Sequence, residues 1–147
     1  MHNLGAGGRA ICARRITMPD DQVQPGRTTP SSFAGIVEDM YRTGDFRAVV
    51  LASADGLPVA TAPPDYEGDL PSAMVALVRG VSHDVQAQLG MAELDEVAIY
   101  DRDRHRLVSR YVSVGTEALI LAALVLPGRP YRRATNRAIR QIEKLLR

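Results

Sequence analysis

The stretch DRDRHR, residues 101–106, sets Asp101, Asp103 and His105 at alternate positions, a pattern that suggests metal ligands. Arg102, Arg104 and Arg106 stand between them and would oppose a cation, and no Glu follows at the position that completes a calcium loop. The sequence therefore reads DRDRHR as a solvated hairpin loop, with no metal expected. Asp95 and Glu96 are a second candidate, a carboxylate pair for acid–base work, but neighbours on a strand point to opposite sides. His83 lies between Ser82 and Asp84 on a helical stretch, as an exposed residue would. Cys12 would need His83 or His105 beside it to act as a nucleophile. Ser53 has no G-x-S-x-G context, and LGAGGRA (residues 4–10) follows no strand and opens no clear helix. No G-x-x-x-x-G-K-[ST] is present, so a P-loop is excluded. These patterns predict neither an enzyme nor a cofactor.

The elements that would position such groups fill a chain of 147 residues, enough for one domain with its own core. With 46% apolar and 24% charged residues the composition is that of an ordinary globular domain. The longest apolar run, Ala118 to Leu126, is too short to span a membrane. Residues 1–16 have basic residues without an apolar centre, which argues against a secretory signal. The single cysteine allows no internal disulfide, and the expected setting is a reducing cytoplasm.

Residues 1–30, rich in Gly and Pro and without a clear period, read as a flexible leader to a domain spanning 31–147. Ser31 or Ser32 can cap a helix carrying Phe33, Ile36, Val37, Met40 and Tyr41 on one face, with Gly44 placed to end it. Phe46–Ser53 and Leu57–Thr61 flank Asp55-Gly56 as a β-hairpin. Pro58 has no N–H to offer a ladder, so the second strand belongs at a sheet edge. Asp69 and Pro71 open a longer helix whose stripe is Leu70, Met74, Leu77, Val78, Val81, Val85 and Leu89, ended by Gly90. Gly80 inside it is either a tolerated imperfection, costing about 1 kcal/mol relative to Ala, or a point of close approach by another backbone.

Glu96–Tyr100 and Leu107–Val114 read as strands around DRDRHR. The run ALILAALVL fits a buried helix or a buried strand, and its shortness between Gly115 and Pro127-Gly128 favours the strand. A last helix begins near Pro130, with Tyr131, Ala134, Ala138, Ile142, Leu145 and Leu146 toward the core. The expected fold is α+β, a five-stranded, mainly antiparallel sheet between helices in the order α-β-β-α-β-β-β-α. If Leu57–Thr61 forms one edge, Glu96–Tyr100 forms the other. It contains neither Pro nor Lys and offers apolar side chains on both faces, so it must be covered or paired. Two copies related by a two-fold axis would extend the sheet and pack their long helices together. The expected interface residues are Met74, Val78, Val81, Val85, Val97, Ala98 and Ile99.

With these elements in place, the chain resembles the roadblock/dynein light chain family, a branch of the profilin- and longin-like folds. The resemblance is carried by AVVLASADGLPVAT, SAMVALVRGVSHDVQAQLG and LDEVAIYDRDRHRLVSRYVSVGTEALILAAL, and spans roughly residues 31–146 in the family's order. It implies a homodimer with the middle helix and third strand at its interface, and a role as noncatalytic regulator or scaffold beside a small Ras-like GTPase. Arg102 and Arg104 are the candidate partner-binding residues. The leader is longer than the family pattern needs, and nothing is carried over onto it.

Charge supplies the alternative. Residues 31–128 hold seven Arg against fourteen acids, a net of −7, whereas residues 129–147 hold six Arg and one Lys against Glu143, a net of +6. The basic final helix could make the dimer a platform for nucleic acid or an anionic membrane. No recognition-helix or base-stacking pattern supports nucleic acid, and membrane association is expected only indirectly.

Overall fold

The structure, a computed structural model, describes residues 30–65 and 70–147. The leader with Cys12 and LGAGGRA lies outside the described residues, as does Asp69. The elements run α1 (Phe33–Gly44), β1 (Ala48–Ser53), β2 (Pro58–Ala62), α2 (Leu70–Leu89), β3 (Glu96–Tyr100), β4 (Arg106–Val114), β5 (Glu117–Val125) and α3 (Arg132–Leu146). All strand pairings are antiparallel, in the order β2-β1-β5-β4-β3. This is the α+β architecture that the apolar pattern predicts, with ALILAALVL a strand at the centre of the sheet.

Each local device has a visible cause. At the start of α1 the Gly35 N–H donates to Ser32 Oγ at 3.0 Å, so Ser32 is the cap. The other end differs from expectation: the left-handed residue is Asp45, with φ 55°, and Gly44 is still helical. Gly44 is needed for a different reason, because a Cβ there would run into the Phe46 ring. In the first hairpin the Ser53 N–H donates to the Leu57 carbonyl at 2.8 Å, and Ser53 Oγ accepts from the Leu57 N–H at 3.1 Å. Gly56 takes φ 95° in that turn. β2 is an edge strand, as Pro58 requires, and a bulge opposite Leu51–Ala52 skips Val59.

Helices α1 and α3 share one face of the sheet. Ile36, Val37, Met40, Ala138 and Ile142 pack there on Val49, Leu51, Val108, Val112 and Leu121. α2 lies on the other face, where Val75 meets Val50, Ala52 and Ile120. α2 covers β1, β2 and β5. Its expected single stripe divides in two. Met74, Val75, Val78 and Ser82 are buried, while Leu77 is 51% and Leu89 70% exposed. Leu145 on α3 is likewise exposed rather than in the core. No atom stands within 4 Å of a Cβ built on Gly80, so no close approach occurs there within the described residues.

Candidate interaction surface

β3 pairs only with β4 among the described residues and closes the sheet on that side. Its register sets Glu96, Val97, Ala98, Ile99 and Tyr100 opposite Arg110, Ser109, Val108, Leu107 and Arg106. The Asp101 N–H donates to the His105 carbonyl at 3.0 Å, and the Tyr111 N–H to the Asp95 carbonyl at 3.2 Å. Residues 95 and 101 thus bond inward, and antiparallel alternation turns Val97 and Ile99 inward with them. The N–H and C=O of Glu96, Ala98 and Tyr100 point away from the sheet. The edge carries a row of outward donors and acceptors centred on Ala98.

The side chains beside this edge divide between the two faces. Val97 and Ile99 lie on the α2 side, beyond the strands that α2 covers, with Val97 half-buried and Ile99 exposed. Val81 and Val85 on α2 are half-buried as well. Of the seven residues expected at an interface, Met74 at 4% and Val78 at 1% exposure are already used inside the subunit. Val81, Val85, Val97 and Ile99 keep apolar surface, and Ala98 is exposed. α2 is tied to β4 by a short hydrogen bond between Ser82 Oγ and the Tyr111 hydroxyl.

On the opposite face β3 is pinned to α3. Glu96 Oε2 lies 3.7 Å from Arg110 Nε, and Glu96 Oε1 lies 3.4 Å from Arg132 and accepts from the Tyr131 hydroxyl at 2.9 Å. Arg110 also donates to Asn136 Oδ1 at 2.9 Å and lies 3.5 Å from Asp95 Oδ1. Burial raises the Tyr131 phenol above its ordinary pKa, and the Glu96 carboxylate adds to the rise, against a smaller opposing pull from Arg132. Asp95 and Glu96 do not simply diverge, as the strand rule suggested: both reach Arg110. Arg110 and Asn136 escaped the sequence reading, whereas Tyr131 lies buried toward the core as expected and in addition donates to Glu96. Counting outward from the six-residue loop DRDRHR pairs Tyr100 with Leu107 and Glu96 with Tyr111. The strand starts one residue earlier, at Arg106, and that register sets Glu96 opposite Arg110.

The hairpin loop brings Asp101, Asp103 and His105 together, with ligand-type atoms within 4.8 Å of one another. Both oxygens of Asp101 are engaged: Oδ1 accepts from the His105 N–H at 2.8 Å, and Oδ2 lies 3.1 Å from His105 Nδ1. Desolvation raises the Asp101 pKa, but the His105 N–H, the imidazole and the Asp103 N–H together outweigh it and hold the carboxyl below its ordinary value. Arg102 and Arg104 are exposed at the tip. Arg104 has φ 73° and stacks its guanidinium 5.4 Å from the centre of the Tyr100 ring. His83 is exposed. No helix among the described residues is long and apolar enough to cross a membrane.

No protein-family model matches the sequence, and no curated protein matches it. The fold, in contrast, has clear counterparts among solved structures. The gliding protein MglB from Thermus thermophilus superposes with a TM-score of 0.63 at 19% identity, over 84% of this chain and 97% of that one. Myxococcus xanthus MglB gives 0.63 at 12% identity, over 78% and 94%. A Roadblock/LC7 domain from Streptomyces avermitilis gives 0.59 at 14% identity, over 77% and 93%. The chain has the roadblock/LC7 fold.

Proposed function

We propose that this chain is a homodimeric, noncatalytic regulator or scaffold that binds a small Ras-like GTPase in the cytoplasm. The observation that carries the dimer is the open β3 rim, with the outward backbone of Ala98 beside the apolar surface of Val97, Ile99, Val81 and Val85. A second copy satisfies those groups by antiparallel pairing across a two-fold axis near Ala98, and the outer sides of the two α2 helices then meet. Met74 and Val78 support that helix from within.

The GTPase reading is supported by the fold shared with MglB and roadblock structures, together with the quoted stretches that resemble the family. Arg102 and Arg104 would face the GTPase from the hairpin tip. Any stimulation of hydrolysis would come from ordering the GTPase's own groups, with one of these guanidinium groups near the phosphates.

A pull-down with Ras-like GTPases from the same source, loaded with a GTP analogue or with GDP, tests the reading. Preferential retention of one nucleotide state is expected. Equal retention or none contradicts regulation.

A further inference from the structure

Two clefts meet at Arg129 and Pro130. The first, of about 390 Å³, is lined by Tyr100, Arg104, Arg106, Gly128, Arg129 and Pro130, with no acidic residue. The second, of about 380 Å³, runs between the end of α1 and the start of α3, where Arg129, Arg133 and Arg137 face a single acid, Asp45. Sharing Arg129 and Pro130, they lie side by side and together make a two-part channel reaching from the β3–β4 hairpin to the α1–α3 seam. The cations along it are unequally engaged. Arg106 donates to the carbonyls of Leu126 and Arg129, a use that holds the loop together. Arg129 lies 3.0 Å from Asp45 as an exposed pair, and Arg137 lies 3.6 Å from a half-buried Asp39. Arg104 and Arg133 have no acidic partner within 4 Å among the described residues.

The stripe continues along α3. Arg133, Arg137, Arg140, Lys144 and Arg147 recur at steps of four and three, so they share one helix face, and all are exposed. From Arg133 to Arg147 this spans about 21 Å at 1.5 Å per residue. A bare helix face of this charge would suit any polyanion. The concave channel at its head is more selective. A flat bilayer cannot enter it, and Tyr100, Pro130 and Ala134 offer apolar contact that a phosphate backbone does not need. An extended peptide fits, because its carboxylates reach the arginines while its backbone and aliphatic stems lie against Pro130 and Ala134.

We propose that this channel binds an extended acidic segment of a partner protein. Exposed arginines pair with its carboxylates, so the affinity falls with salt over a Debye length of about 8 Å at physiological ionic strength. The channel's charge and shape carry this assignment without reference to a GTPase.

The test is fluorescence anisotropy of the full chain with a labelled Glu-rich peptide, its Gln-for-Glu counterpart, anionic phosphatidylserine vesicles and duplex DNA. The Glu peptide should bind and the Gln peptide should not. R129Q/R133Q should lose roughly tenfold in affinity, equivalent to about 1.4 kcal/mol, while R79Q, on α2 across the sheet, should not change. The replaced arginines are exposed, and circular dichroism confirms that the variant is folded. Equal binding of the Glu and Gln peptides, unchanged binding by R129Q/R133Q, or tighter binding of vesicles or DNA than of the Glu peptide would overturn the proposal.

Discussion

Glu96 and Arg110 face each other across the β3–β4 ladder, with Glu96 Oε2 3.7 Å from Arg110 Nε and side-chain exposures of 15% and 12%. A charged pair this well shielded joins the edge strand to the sheet, and through Tyr131, Arg132 and Asn136 it joins both to α3. The 3.7 Å contact is an ion pair; the hydrogen bonds of the Glu96 carboxylate come from Tyr131 and Arg132, and such bonds to charged groups contribute about 1.5–3 kcal/mol each. Removing one partner of a buried pair costs more than removing both.

Glu96→Ala should therefore lower stability by about 2 kcal/mol, read as a shift of the urea midpoint. Replacing Glu96 and Arg110 together by Leu and Met should recover most of that loss. The same site gives an optical readout. Burial and Glu96 both raise the Tyr131 pKa, so stability from the neutral phenol is complete below the ordinary tyrosine value and is lost as pH rises through the folded one. In Glu96→Gln the ultraviolet ionisation of Tyr131 should begin at lower pH than in the parent chain. An unchanged midpoint would show that Glu96 does not act on the phenol.

Asp101 should titrate below the ordinary aspartate value of about 3.9. Its folded pKa is lowered, so the stability it gives the hairpin is present above the unfolded value and is lost as pH falls through the folded one. Carboxyl carbon NMR follows this directly. D101N should leave the His105 amide exchanging faster with solvent at neutral pH, because its 2.8 Å bond to the carboxylate is weakened.

Gly44→Ala should destabilise the domain by about 1–3 kcal/mol, as overpacking does. The added methyl meets the buried Phe46 ring, whereas Gly80→Ala meets nothing within 4 Å and should leave the isolated subunit as stable or more so. Thermal unfolding of the two variants side by side makes the comparison. Equal losses would mean that the ring at Phe46 moves freely.

Much of the fold was legible because the signals were local. Ser31 or Ser32 before an apolar helical face and Pro58 after a D-G turn mark a helix start and an edge strand, and Gly115 and Pro127-Gly128 around an apolar run favour strand over helix. The two sheet edges followed from Pro58 by elimination. What escaped were relationships set by tertiary contact. The α2 stripe was visible in sequence, but which of its members the sheet covers was not, and Leu77 and Leu89 stay exposed. Gly44 looked like a helix stop, yet its small size serves Phe46 two residues on. The Glu96–Arg110–Tyr131 cluster draws on β3, β4 and the start of α3, so only the folded chain brings its members together.

Ala98→Pro examines the proposed dimer at its centre. The Ala98 N–H points out of the sheet, so proline removes a donor from the free rim without breaking a bond to β4. The measurement is mass by light scattering after gel filtration. The account predicts twice the 16.0 kDa chain for the parent protein and a folded species of one chain for Ala98→Pro. A parent protein that runs at the mass of one chain, or a folded Ala98→Pro that stays at two, would contradict it.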